Sequence, residues 1–207
     1  MDEERIFSDE ELEVMGQRTL DLLQSSIHER DMDNAKKLSQ RMCNEFLAMH
    51  DLYRDWVTDL LSFVGRRFGD DALHDALKQS VEGFTSQLGE RYANKSPRRR
   101  LEMLVAGLRG HLQPVKIEED DEKFTITGHP CGSGERLIRD GGYEPPRNFL
   151  KIQDPQPMTF NRVDFPVYCA HCYFQNLARI EPEGAPLFVT EPPSELGKKP
   201  CRVYMYK

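Results

Sequence analysis

The chain lacks any apolar run close to the roughly 20 residues that a membrane-spanning helix requires. Its first five residues, Met-Asp-Glu-Glu-Arg, are mostly charged, and no apolar segment typical of a secretory signal follows them. Neither a membrane span nor a signal peptide is therefore expected. Five cysteines in such a chain predict a reducing compartment, and the cytoplasm is the expected location.

Basic residues are also in the minority. Lys and Arg total 28 against 35 Asp and Glu, which gives a formal net charge of -7. A chain of this sign repels phosphate backbones, so nucleic acid is not an expected partner. The only dense basic run, Arg98 to Arg100, is more typical of a solvated helix face. We expect a small-molecule substrate or ligand instead; the oligomeric state cannot be predicted.

Proline is nearly absent from the first half. From Pro114 onward the chain holds twelve of its thirteen prolines and four of its five cysteines. This change predicts a helical region over residues 1–112 and a metal-binding, β-containing region over 113–207, although one integrated domain is equally compatible with it. The expected fold class is α+β: about four helices packed on a small β unit that a metal site holds together.

Local signals delimit the four helices. Ser8 and Glu11 form an S-x-x-E capping box for a first helix that should run to about His28. A second, long helix starts near Asp31 or Asp33 and is stopped by Gly69, where a third begins. Ser96-Pro97 caps a fourth. The long helix carries an apolar row with helical spacing that is predicted to be buried: Leu38, Met42, Phe46, Met49, Tyr53, Trp56, Leu60 and Phe63.

After Pro114 the apolar period changes to two. Val115 and Ile117, then Phe124 and Ile126, flank an acidic segment and predict a β-hairpin with a charged tip. A short helix is expected from Cys172 to about Ile180, where Pro182 would end it. Residues 187–190 and 202–206 are predicted to be two closing strands.

Two cysteine-bearing turns indicate a metal site. His129 and Cys131 lie in a glycine-rich turn directly after the second hairpin strand, and Cys169 and Cys172 form a C-x-x-C turn that enters a helix. A C-x-x-C turn places two sulfurs on one side of a tight bend, as tetrahedral zinc requires. The sequence therefore predicts zinc bound by His129, Cys131, Cys169 and Cys172.

The ligand set remains open at this stage. His171 or Cys201 could replace His129, and Cys131, Cys169, Cys172 and Cys201 together would form an all-cysteine site. An iron–sulfur cluster on the same cysteines is a less favoured alternative, as is a redox-active pair of Cys169 and Cys172.

The candidate catalytic residues are Glu135, His171, Cys201 and His50. Glu135 or His171 could carry protons for a metal-bound water, and Cys201 could act as a nucleophile. His50 borders the apolar row of the long helix and could point into a cavity. The leading hypothesis is a zinc-dependent enzyme of the hydrolase or lyase type, acting on a small molecule in a pocket between the helices and the metal loop. The alternative is a non-enzymatic protein that binds a ligand or partner and contains a structural zinc ion.

Overall fold

A computed structural model describes residues 6–180 and 184–207. It confirms a mixed architecture, with a long helical half followed by an antiparallel sheet. The chain divides into two units, called unit 1 (Met1–Leu52) and unit 2 (Tyr53–Lys207) below. No helix in the described ranges is both long and apolar enough to cross a membrane.

Unit 1 contains two short helices and the start of a long one. Its elements are α1 (Asp9–Gly16), α2 (Thr19–His28) and the first part of α3 (Met32–Tyr92). The predicted capping box is confirmed, because Glu11 N donates to Ser8 Oγ and Ser8 N donates to Glu11 Oε2. A single helix up to His28 is not observed. The backbone is extended at the two residues after Gly16. Glycine weakens a helix, so the chain can leave the helical conformation at this point.

Two side-chain hydrogen bonds join α2 to α3 within unit 1. Thr19 Oγ1 donates to Glu45 Oε1 at 2.9 Å, and Asn34 Nδ2 donates to Ser26 Oγ at 2.8 Å. Thr19 and Ser26 are buried, so these bonds satisfy polar groups that water does not reach. Leu38 of the same unit is also buried.

Helix α3 is interrupted at Gly69. Its φ of 83° and ψ of 179° lie outside the helical region, in a conformation that essentially only glycine adopts without strain. The prediction that one helix ends at this residue is thus confirmed. Beyond the interruption, Leu73, Leu77 and Val81 are buried, at the spacing that the sequence predicts for a core-facing helix.

The burial predicted for the apolar row of α3 is wrong. Leu38 is buried, but Trp56 and Phe63 each leave 58% of their surface exposed. The other members of the row are exposed as well: Met42, Phe46, Met49, Tyr53 and Leu60. Helical period shows which residues share a face, whereas burial requires a surface that packs against that face.

Small and polar residues occupy the inward side of α3 in unit 2. Arg54, Thr58 and Ser62 are all buried. Both hydroxyls donate to backbone carbonyls one turn earlier in the helix: Thr58 Oγ1 to Arg54 O at 2.6 Å, and Ser62 Oγ to Thr58 O at 2.7 Å. Ser62 Oγ also accepts from Leu150 N at 2.9 Å. These short side chains let the backbone of residue 150 approach the helix closely.

Helix α4 (Pro97–Gly110) begins as the sequence predicts. Ser96 Oγ accepts a hydrogen bond from Arg99 N, and the first helical residue is proline. The basic run at its start is engaged on the helix surface, since Arg98 and Arg99 both form ion pairs with Glu102. This pairing agrees with a solvated helix face.

The sheet has four antiparallel strands in the order β1-β2-β6-β5. Its strands are β1 (Val115–Glu119), β2 (Lys123–Gly128), β5 (Val189–Glu191) and β6 (Cys201–Tyr206). The predicted hairpin is β1-β2, and the two predicted closing strands are β5 and β6. The register pairs Gly128, the last residue of β2, with Cys201, the first residue of β6.

Short elements fill the stretch between β2 and β5. They are α5 (Gly134–Arg139), β3 (Lys151–Ile152), β4 (Phe165–Pro166), α6 (His171–Leu177) and two 3-10 turns (Pro157–Thr159 and Val167–Ala170). The predicted short helix is α6, which begins one residue early and ends at Leu177. Pro182, which the sequence suggests as its end, lies outside the described residues.

Unit 2 has two buried apolar clusters. The first joins the end of α3 to the short elements and includes Leu77, Leu137 and Phe165. The second joins α4 to the sheet and includes Leu104 and Ile126. The turn that carries Cys131 lies between β2 and α5, and the turn that carries Cys169 and Cys172 packs on the first cluster.

Candidate metal centre

The turn around Cys131 is fixed by hydrogen bonds to its backbone. Cys131 N donates to Glu135 Oε2 at 2.7 Å, and Gly132 N donates to Gln113 Oε1 at 2.7 Å. The N–H groups of Ser133, Gly134 and Glu135 point toward the Cys131 sulfur. Backbone N–H groups that surround a sulfur in this way stabilise its thiolate form.

The second turn lies on a 3-10 turn that continues into α6. Cys169 and Cys172 are three residues apart along this path, so their side chains leave the helix surface on the same side. Val167, Ala170 and Phe174 are buried in the first apolar cluster and anchor the turn. The positions of the two sulfurs are thus determined by the core packing of unit 2.

Cys201 enters the site through the sheet. It begins β6, and its Cα is paired with Gly128 of β2, three residues before Cys131. Strand pairing therefore brings the last cysteine of the chain next to the turn that carries Cys131. The sequence does not specify this register.

The four sulfurs share one environment. Cys131, Cys169, Cys172 and Cys201 all line a single cavity of about 590 Å³. Burial is the main cause that raises the pKa of each thiol, to about 12 for Cys172. Negative charge on the neighbouring thiolates raises the pKa of Cys131, Cys169 and Cys201 further, which happens only when the sulfurs lie near one another.

The thiols are near one another without being arranged around a common centre. Within residues 6–180 and 184–207, no three His, Cys, Asp or Glu side chains form a group that could hold a metal ion. All five cysteines of the chain are free thiols. Cys43, the fifth, belongs to unit 1 and is not among the residues that line the cavity.

His129 is turned toward Glu135. Its Nδ1 atom is 2.7 Å from Glu135 Oε1, and 45% of its side-chain surface is exposed. His129 does not line the cavity that the four cysteines share. Of the four predicted metal ligands, Cys131, Cys169 and Cys172 line this cavity together with Cys201, and His129 does not.

Three of the four candidate catalytic residues line the cavity: Glu135, His171 and Cys201. Glu135 is buried and holds the first turn through Cys131 N. The ring of His171 hydrogen-bonds to Tyr168 O through Nδ1, while its Nε2 is 3.6 Å from Cys172 Sγ. Burial lowers the pKa of His171 and favours the neutral imidazole.

The fourth candidate, His50, belongs to unit 1. Its Nδ1 atom is 3.1 Å from Asp51 Oδ1, and its ring lies 5.8 Å from that of Phe46 between centroids. Both of these neighbours are on α3, the helix that carries His50.

Two residues of the site escape the sequence analysis. Gln113 supports the first turn through Gly132 N, and Tyr168 hydrogen-bonds with Ser133, while burial raises the Tyr168 pKa to about 12. Tyr168 is adjacent to Cys169 in the sequence, and this adjacency could have indicated that it belongs to the site. Gln113 carries no such signal, because its contact depends on how α4 leads into the sheet.

Comparisons with protein-family models, with curated proteins and with solved structures find no match to this chain.

Proposed function

We propose that unit 2 is a small-ligand-binding domain whose fold is held together by one structural zinc ion, bound by Cys131, Cys169, Cys172 and Cys201. The observation that carries this proposal is the convergence of four free thiols on one cavity wall. They come from three chain segments that are distant in sequence. A set of four thiolates is a common ligand set of closed structural zinc sites.

Zinc would bind by displacing the four thiol protons. Buried thiols without a cation remain protonated, and no electrostatic attraction draws neutral thiols toward a common point. Rotation of the cysteine side chains between staggered rotamers would close the sulfurs around the ion. The N–H groups around Cys131 support its thiolate, and core packing holds Cys169 and Cys172.

The ion would connect the ends of three elements. Cys131 follows β2, Cys172 is in the first turn of α6, and Cys201 begins β6. The segment between β2 and β5 has only short helices and two-residue strands, so it gains the most from a cross-link. Free thiols as zinc ligands also favour a reducing compartment such as the cytoplasm.

Zinc content in matched variants tests the ligand set. We expect about one zinc per chain by elemental analysis in the wild type, in His129→Ala and in Cys43→Ser, and none in Cys201→Ser. Cys43→Ser is the control for the general effect of replacing a thiol. A wild type without zinc would refute the proposal, as would loss of zinc from His129→Ala alone. An iron–sulfur cluster would appear as iron with acid-labile sulfide in the same samples.

A zinc-dependent hydrolase or lyase is the second candidate. Glu135 and His171 line the same cavity as the cysteines, which is the observation that favours it. Catalysis needs an open coordination position for water. Cys201 would then lie outside the ligand set, so zinc retained in Cys201→Ser would support the enzyme over the binding protein.

A glycine in the first turn offers a second test. A Cβ atom at Gly134 would lie 2.8 Å from Cys169 Sγ. Gly134→Ala should therefore displace that sulfur and weaken zinc binding by on the order of tenfold or more, measured by competition with a chromogenic chelator. Gly83→Ala is the matched control, since no atom lies within 4 Å of its added Cβ. Equal zinc affinity in the two variants would contradict a ligand role for Cys169.

A further inference from the structure

The cavity that the cysteines line has an apolar side whose character restricts the ligand. Its volume of about 590 Å³ is within the range of small-molecule sites. The apolar wall is built from both buried clusters of unit 2 and includes Leu77, Val81, Leu104, Ile126, Phe188 and Val203. A ligand in contact with this wall gains most of its affinity from apolar area removed from water.

Few ionisable side chains line the cavity. Among the described residues that line it, none is Lys, Arg or Asp, the one carboxylate is Glu135, and the two imidazoles are those of His111 and His171. Arg162 lies near enough to lower the pKa of Cys201, but its guanidinium donates to the carbonyls of Pro192 and Pro193. A zinc ion with four thiolates would add net negative charge to this end of the cavity.

Neutral hydrogen-bonding groups complete the lining. They are the side chains of Ser80, Tyr92, Gln113, Ser133, Tyr168, Gln175 and Thr190. Such groups can orient an uncharged polar atom, but they do not compensate a buried carboxylate or phosphate. An anionic ligand would lose its hydration without gaining a cationic partner.

We propose that the cavity binds an uncharged, largely apolar molecule and rejects anions such as fatty acids and nucleotides of similar size. This inference depends on the proposed function, of which it specifies the ligand class. It would be carried by the apolar wall and by the lack of a lysine or arginine among the described lining residues.

Two fluorescent probes with one skeleton test the charge preference. N-phenyl-1-naphthylamine is uncharged, and 8-anilinonaphthalene-1-sulfonate adds a sulfonate to the same ring system. The full-length protein should bind the neutral probe at least about tenfold more tightly than the anionic one. Equal binding, or tighter binding of the sulfonate, would overturn the proposal.

A pair of glycines in α4 locates the bound probe. Gly107 lines the cavity and Gly110 does not, while an added Cβ would meet open space at both positions. Gly107→Phe should therefore weaken binding of the neutral probe by about tenfold or more through lost cavity space, and Gly110→Phe should leave it unchanged. Equal binding by the two variants would show that the probe sits elsewhere, for example on the exposed row of α3, and would overturn the proposal.

Zinc analysis of the same samples tests the proposed metal site and the proposed ligand class separately. Zinc-loaded protein that binds neither probe would refute the ligand class and leave the metal site standing. Metal-free protein that binds the neutral probe at Gly107 would refute the metal site and support the ligand class.

Discussion

Removal of zinc by EDTA is expected to unfold the C-terminal sheet of unit 2. Structural zinc ions contribute apparent binding free energies of about 10–16 kcal/mol, much of it as folding free energy. We therefore expect the free energy of unfolding of unit 2 to fall by well above about 3 kcal/mol when zinc is removed. The cause is local, because Cys201 and the residues that follow it form β6, one of the two central strands, which pairs with both β2 and β5.

Hydrogen exchange can locate this effect. Amides in the β2–β6 pair, such as those of Ile126 and Val203, should lose protection when zinc is removed. Helix α2 contains no proposed ligand and belongs to unit 1, so its amides provide an internal control. Protection should return when zinc is added back. Unchanged exchange in β2 and β6 after complete removal of zinc would show that the ion does not support the sheet.

Replacement of Arg54 should be the next most damaging change. Only 2% of its side-chain surface is exposed. Its Nε and Nη2 atoms donate to Asp55 Oδ1 at 2.9 and 2.8 Å, and its Nη1 atom donates to Asp140 Oδ2 at 3.3 Å. Arg54 thereby connects α3 to the end of α5, the helix that follows the Cys131 turn.

We expect Arg54→Met to lower the free energy of unfolding by about 2–3 kcal/mol. Removing one partner of a buried ion pair costs about 3–5 kcal/mol, and the partial exposure of Asp55 and Asp140 reduces this value. The melting temperature should fall by about 5–10 °C. Arg67→Met, an exposed position on the same helix, is the control and should change it little. Equal melting temperatures for the two variants would contradict the argument.

Much of the fold could be predicted because its signals are local. The Ser8 capping box, the Ser96-Pro97 helix start and the interruption at Gly69 each depend on a few adjacent residues, and all three are found. The β1-β2 hairpin follows from a period of two over a short stretch. Propensity and capping act within one or two turns, so a single sequence suffices to detect them.

Burial on α3 could not be predicted in this way. Trp56 and Phe63 look like core residues by type and spacing, yet Thr58 and Ser62 occupy the buried side. The reason is tertiary: Ser62 Oγ meets a backbone N–H of the segment that precedes β4, and that close approach favours small side chains. No periodicity within α3 contains this information.

The candidate site could be predicted in part. The two cysteine turns are visible in the sequence, because their geometry is local. The position of Cys201 depends on the β2–β6 register, and the pairing of His129 with Glu135 depends on how α5 starts. Strand register and side-chain orientation cannot be derived from local sequence. The sequence therefore offers more candidate metal ligands than one ion can accept.

The position of β6 in the chain has a consequence for biosynthesis. Cys201 follows Cys131 by 70 residues, a stretch that a ribosome translates in roughly 4–14 s at about 5–20 residues per second. During that interval β2 has no partner on its β6 side, and Cys201 is not yet present to join the other cysteines that line the cavity. Chaperones would therefore matter most for the nascent chain in the time before β6 is synthesised and pairs with β2.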